Sequence, residues 1–118
     1  MTVSPGAAQP GSLSVTTTEL EDGVVTVEVR GDIDLTTSPR LHATINEFLR
    51  SGPGAVVIDM TGVGFCDSSG LSILVHLNNQ CAASDIDLTI APSRMVRRAI
   101  ELTGLSSTLT MTHPSTQP

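Results

Sequence analysis

The amino-acid sequence predicts an α/β domain: a mixed β-sheet of about five strands flanked by about three helices. Three observations carry this. Short runs rich in β-branched residues alternate along the chain with amphipathic stretches of helical spacing. The first two runs are separated by EDG (21–23), a hairpin signal that makes them antiparallel. Each later strand follows a helix, which implies parallel pairing through right-handed crossovers. The predicted order is β-β-α-β-α-β-α-β.

Each element has its own justification. LSVTTTEL (13–20) and VVTVEVRG (24–31) carry β-branched residues in rough alternation and form the hairpin. In TTSPRLHATINEFLRSG, Ser38 before Pro39 predicts an N-cap followed by proline at the first helical position. Leu41, Ile45, Phe48 and Leu49 recur at helical spacing, and Gly52-Pro53 ends the helix. AVVIDM (55–60) is nearly all apolar, the pattern of a strand buried on both faces. TGVGF leads from it into a DSSG turn. From Ser68 to about Ala83, Leu71, Leu74, Leu77 and Cys81 form a helical stripe, broken at Ser84-Asp85. IDLTIA (86–91) is the next strand. Pro92-Ser93 opens a third helix with Val96, Ala99 and Ile100 facing the core and Arg94, Arg97 and Arg98 facing out. Gly104 closes it, and SSTLTM (106–111) is a last short strand. Residues 1–11 and 112–118 are expected to be disordered arms around one domain, 12–111.

Composition narrows the function classes. A chain of 118 residues has the length of one domain. Phe48 and Phe65 are its only aromatic residues, so the core must be built from Val, Ile, Leu, Met and Ala. Net charge is −6 and lysine is absent, which argues against general nucleic-acid binding and against a polybasic lipid contact. No apolar run approaches the ~20 residues of a membrane span. The first residues, MTVSPGAAQPGS, lack the features of a secretory signal, so a cytoplasmic protein without membrane contact is expected. Cys66 and Cys81 are read as small buried hydrophobes, with a redox role for the pair as the alternative.

Catalytic readings find little support. Nucleophilic catalysis needs a base beside the serine. His42 and His76 fall on predicted helices and His113 in the tail, where solvated surface histidines are the expectation. The elbow G-x-S-x-G is absent; the local string is CDSSG. Asp32 and Asp34 could join Asp59 or Asp67 around a metal, but no His/Cys cluster or EF-hand spacing accompanies them, and loop acids are more often turn formers and caps. Neither phosphate-loop motif is present, so no nucleotide cofactor is expected. Two polar loops remain, GDIDLT and FCDSSG. Loops at the carboxyl ends of parallel strands gather at one rim, which predicts that these two lie side by side.

GDIDLTTSPRL, AVVIDMTGVGFCDSSGL and RMVRRAIELTGL together resemble the bacterial anti-sigma-factor antagonists, single-domain members of the STAS family. The likeness runs from about Leu13 to Met111 and is most specific in VIDMTGVGFCDSSGL, which is similar to the family's strand followed by D-S-[ST]-G-L. It implies a STAS-like sheet and a partner switch. Unphosphorylated, such proteins bind an anti-sigma factor that is also a serine kinase, and so free a sigma factor. Phosphorylation by that kinase releases the antagonist, and a PP2C-type phosphatase restores it. The implied phosphoacceptor is Ser68. Asp34 matches the acidic position of the family's G-[DE]-[IL]-D turn, and Asp32, Asp67, Ser68, Ser69 and Gly70 are the further expected contacts. The resemblance implies a non-enzymatic protein without cofactor or metal, a monomer or weak dimer. Three departures stand out. The family's final helix has no counterpart in THPSTQP. His76 and Leu77 replace a small and a basic residue of some relatives. A basic contact could come from Arg94, Arg97 and Arg98, although a solvated helix face is the plainer and favoured account of them. The competing readings are a STAS subunit of a lipid-transport ABC complex, an unphosphorylated antagonist under redox control at Cys66, and a serine hydrolase.

Overall fold

The computed structural model describes residues 13–19 and 22–112. The chain order is β1 (Leu13–Glu19), β2 (Val24–Ile33), α1 (Ser38–Leu49), β3 (Ala55–Cys66), α2 (Ser68–Ala83), β4 (Asp87–Pro92), α3 (Arg94–Leu102) and a 3-10 turn, Leu105–Ser107. The strands form one sheet in the order β1-β2-β3-β4. β1 and β2 are antiparallel; β2, β3 and β4 are parallel. This is the mixed α/β architecture expected, with four strands where about five were predicted.

The fifth strand is reduced to one contact. SSTLTM begins inside the 3-10 turn that follows Gly104, whose φ of 77° favours glycine. Only Met111 reaches the sheet, in a bridge beside Ile90. The Ile90 N–H donates to the Thr110 carbonyl and the Thr112 N–H to the Ile90 carbonyl, both at 2.8 Å. Apart from Thr112, the expected arms at 1–11 and 112–118 lie outside the described residues, as do His113 and the question of a final helix.

The core lies on one face of the sheet. Val25, Val27, Val29, Val56, Ile58, Met60, Leu88 and Ile90 are buried, and the register aligns them across the three parallel strands. Leu41 and Ile45 of α1, Leu74, Leu77 and Cys81 of α2, and Val96 and Ile100 of α3 join the same cluster. Each such aliphatic side chain contributes roughly 1.5–3 kcal/mol when fully buried. AVVIDM is therefore not buried on both faces as its composition suggested. Val57 and Asp59 alternate with the buried residues and stay partly exposed, because the layer formed by the buried stripes of the helices covers the other face.

Two local expectations also change. The N-cap position of α1 is Thr37, not Ser38; Ser38 is the first helical residue and is buried. Arg97 does not simply face solvent, since its guanidinium donates to the Thr112 carbonyl at 2.6 Å. Ser93 does cap α3, its hydroxyl accepting from the Val96 N–H. Among the described residues, no helix is long and apolar enough to cross a membrane.

Candidate functional site

β2 and β3 both run past their predicted ends, and this extension builds the site. GDID is not a free turn: Gly31, Asp32 and Ile33 are the last residues of β2. β3 continues through TGVGF to Cys66. Two bulges interrupt the ladder. Glu28 and Arg30 pair with Asp59 and Gly62, then Gly31 and Asp32 pair with Val63 and Phe65, so β3 carries one extra residue at each shift. The strands nevertheless end in step, with Ile33 beside Cys66 and the Asp67 N–H donating to the Ile33 carbonyl at 3.1 Å. The two polar loops thus lie side by side at one rim.

Asp67 organises the second loop. Its backbone is extended (φ −92°, ψ −172°), which makes it the N-cap of α2. One oxygen, Oδ1, accepts from the Ser69 N–H at 2.9 Å, the Gly70 N–H at 3.3 Å and the Ser69 hydroxyl at 2.5 Å. Ser69 is therefore engaged and half-buried. Ser68, the first helical residue, is exposed, and its hydroxyl has no protein hydrogen bond among the described residues. A cap of this kind fixes the helix start while leaving the hydroxyl one residue on free.

Gly70, expected among the partner contacts, is buried. A Cβ there would sit 2.6 Å from Cys66 Sγ and 2.6 Å from Ile33 Cγ2. Its role is packing: the missing side chain lets the first turn of α2 close onto the ends of β2 and β3. Burial, and then the charge of Asp67, push the Cys66 thiol up to about 11. Cys66 and Cys81 are both buried free thiols.

The first loop is held in the same manner. Asp34 Oδ1 accepts from the Thr36 N–H at 2.9 Å, the Thr36 hydroxyl at 2.7 Å and the Thr37 N–H at 3.1 Å. The Thr36 hydroxyl is the main reason that the Asp34 carboxyl titrates below its ordinary range. The Thr37 hydroxyl, buried in the loop, accepts from the Asp34 N–H at 2.9 Å and donates to the Asp32 carbonyl at 2.9 Å. Among the described residues, every side-chain bond to Asp34 and Asp67 falls on Oδ1 and none on Oδ2. Asp32 projects outward beside Phe65, and Asp59 lies further down β3, accepting from Thr61.

His42 and His76 are placed elsewhere and are not simply solvated. His42 of α1 and His76 of α2 meet edge to face, with ring centroids 5.1 Å apart. His42 also bonds Gln80 at 3.2 Å, and Gln80 donates to Asn46 at 2.8 Å, giving a polar clip between the two helices. His76 stands eight residues along α2 from Ser68, about 12 Å at the helical rise. Neither ring is positioned as a base for that serine. Among the described residues, no three His, Cys, Asp or Glu side chains converge as a metal site. Arg94 and Arg98 lie exposed on α3.

Sequence reasoning missed three residues here: Thr37, Leu35 and Phe65. A threonine in TTSP reads as loop, and its hydroxyl becomes a hub only once β2 extends to Ile33. Leu35 and Phe65 are exposed large hydrophobics, at 76% and 46%. Phe65 directly precedes the buried Cys66 on β3, so alternation along the strand turns it outward.

The STAS domain family model matches residues 16–117. The anti-sigma-F factor antagonist RsfB of Mycobacterium tuberculosis is 35% identical over 99 residues, 84% of this chain and 80% of that protein. An anti-sigma-B factor antagonist of Staphylococcus aureus is 28% identical over 95 residues, 80% of this chain and 87% of that protein. The crystal structure of an anti-sigma factor antagonist from Mycobacterium paratuberculosis superposes with a TM-score of 0.78 at 31% identity, covering 92% of each chain.

Proposed function

The chain belongs to the STAS domain family, among its anti-sigma factor antagonists, and from that premise we propose that it is a partner-switching regulator acting in the cytoplasm. Unphosphorylated, it binds an anti-sigma factor and so frees a sigma factor. The anti-sigma factor is also a serine kinase, which phosphorylates Ser68 and is then released; a PP2C-type phosphatase reverses the modification. Asp34, Asp32 and Asp67 face the partner, and the chain itself catalyses nothing.

The observation that carries this reading is the inequality of the two serines. Ser69 has its hydroxyl committed to Asp67 at 2.5 Å, while Ser68 is exposed at the first position of α2 with a free hydroxyl. A phosphate on Ser68 adds close to two negative charges. The positive end of α2 tolerates them, so the fold survives. A contact surface does not, because the dianion would have to be desolvated beside Asp67 and Asp34. About 4 kcal/mol of such cost weakens affinity roughly a thousandfold, which turns binding off without a conformational change.

The test is incubation with the cognate kinase and ATP, followed by phosphopeptide mapping. One phosphate on Ser68 is expected; modification elsewhere, or none, defeats the assignment. Ser68→Ala should bind the anti-sigma factor and Ser68→Glu should bind it far less. Equal affinities would mean that charge at this position is not the switch.

A further inference from the structure

The outer face of the rim carries apolar surface that the switch at Ser68 does not use. Phe65 and Leu35 are 46% and 76% exposed. Phe65 is one of only two aromatic residues in the chain, so its place on the surface is not a matter of abundance. Alternation along β3 puts it there. Cys66 and Ile33 pair and point into the core, so the preceding pair, Phe65 and Asp32, points the opposite way. Leu35 stands in the turn that Asp34, Thr36 and Thr37 hold with hydrogen bonds among themselves and to Asp32. Both side chains are thus displayed by constrained backbone, the condition that lowers the entropy cost of binding.

The surroundings are acidic and lack a matching cation. Among the described residues the one salt bridge joins Arg30 to Glu28. Arg40 turns its guanidinium to the Leu13 carbonyl. Asp34 and Asp67 each keep Oδ2 without a partner among the described residues. Two apolar side chains beside three aspartates, Asp32, Asp34 and Asp67, make a surface that is complementary to an apolar hollow bordered by cations.

We propose that Phe65 and Leu35 are the apolar anchors by which the unphosphorylated protein docks on its anti-sigma factor, and that they enter a hydrophobic pocket of that partner edged by arginine or lysine. The inference rests on the antagonist reading above and extends it. Affinity comes from the two anchors, while the carboxylates set orientation and encounter rate. The same layout explains how the switch acts: Ser68 lies three residues beyond Phe65, so its phosphate lands beside the anchors, where it would keep the pocket hydrated.

The test uses the anti-sigma factor identified by pull-down with Ser68→Ala, then purified and titrated calorimetrically against the wild type, Phe65→Ala, Leu35→Ala and Asp34→Asn at two salt concentrations. Phe65→Ala should weaken binding at least about tenfold, and Leu35→Ala in the same direction, with unfolding temperatures close to wild type. Their salt dependence should match wild type, whereas Asp34→Asn should flatten it. Phe65→Ala and Leu35→Ala binding within twofold of wild type would overturn the anchors; an unchanged salt slope for Asp34→Asn would overturn the cationic border. Should Phe65→Ala fail to fold, Leu35→Ala carries the same test. A wild-type dimer that Phe65→Ala splits into monomers would assign the patch to a second copy and overturn the proposal. Failure of the wild type to bind any anti-sigma factor would instead defeat the antagonist reading, which keeps the two failures distinct.

Discussion

Gly70→Ala tests how the site is assembled. The added methyl would meet Cys66 Sγ and Ile33 Cγ2, each at 2.6 Å, about 1 Å inside an ordinary contact. Neither neighbour can swing away: Cys66 is 5% exposed, Ile33 is fully buried, and both are on paired strands. Relief must come from lifting the first turn of α2 off the sheet. Overpacking of this kind costs about 1–3 kcal/mol. Alanine returns at most about 1 kcal/mol in helix propensity, and less at a first-turn position. The net is about 1–2 kcal/mol of destabilisation, a fall of roughly 5–10 °C in the unfolding temperature for a domain of this size. Calorimetric or circular-dichroism melting measures it. A double-mutant cycle with Cys66→Ala separates the steric term, since removing the sulfur should make the Gly70→Ala penalty smaller. Phosphorylation at Ser68 should slow in parallel, because the shifted turn carries that hydroxyl. If Gly70→Ala melts at or above the wild-type temperature, the close approach of α2 to β2 and β3 is not what the glycine provides.

The other predictions address the loops and the buried thiol. Thr37→Val keeps the shape but leaves the Asp34 N–H and the Asp32 carbonyl without their partner, so stability should fall by about 1–3 kcal/mol in chemical denaturation; an unchanged midpoint would remove Thr37 from its place as hub. Asp67→Ala should cost about 1 kcal/mol through loss of the cap and, by freeing the Ser69 hydroxyl, let some phosphate appear on Ser69 in peptide mapping; phosphate still confined to Ser68 would show that Asp67 does not enforce the choice. The Cys66 thiol is held protonated up to about 11, against an ordinary value of 9.0, so the unfolded chain loses its proton first and this contribution to stability is complete below about pH 9 and lost as pH rises toward 11. Denaturation series across that range should slope downward more steeply for wild type than for Cys66→Ala, and iodoacetamide at pH 8 should label Cys66 only upon unfolding. Rapid labelling of the native protein would contradict its burial.

Much of this protein is legible in its sequence, for a definite physical reason. Helical and strand periodicities record which side of each element meets the core, so the stripes Leu71, Leu74, Leu77, Cys81 and Val96, Ile100 locate α2 and α3 directly. The parallel order then forces the GDID and DSSG loops to one rim, and the D-S-S-G string singles out Ser68 as the proposed phosphoacceptor. Where the structure departs from that reading, the deciding contact is one that hydrophobic periodicity does not record. SSTLTM has strand composition, yet Gly104 and the 3-10 turn leave it one bridge on the edge of β4. Ser38 looks like a cap, yet Asp34 and Thr37 take the loop's donors first. Gly70 looks like part of a contact motif, yet Ile33 and Cys66 surround it. Pattern along a chain determines which elements form and which face they bury. Register between strands, which depends on residues far apart in sequence, decides which of the remaining side chains the protein presents.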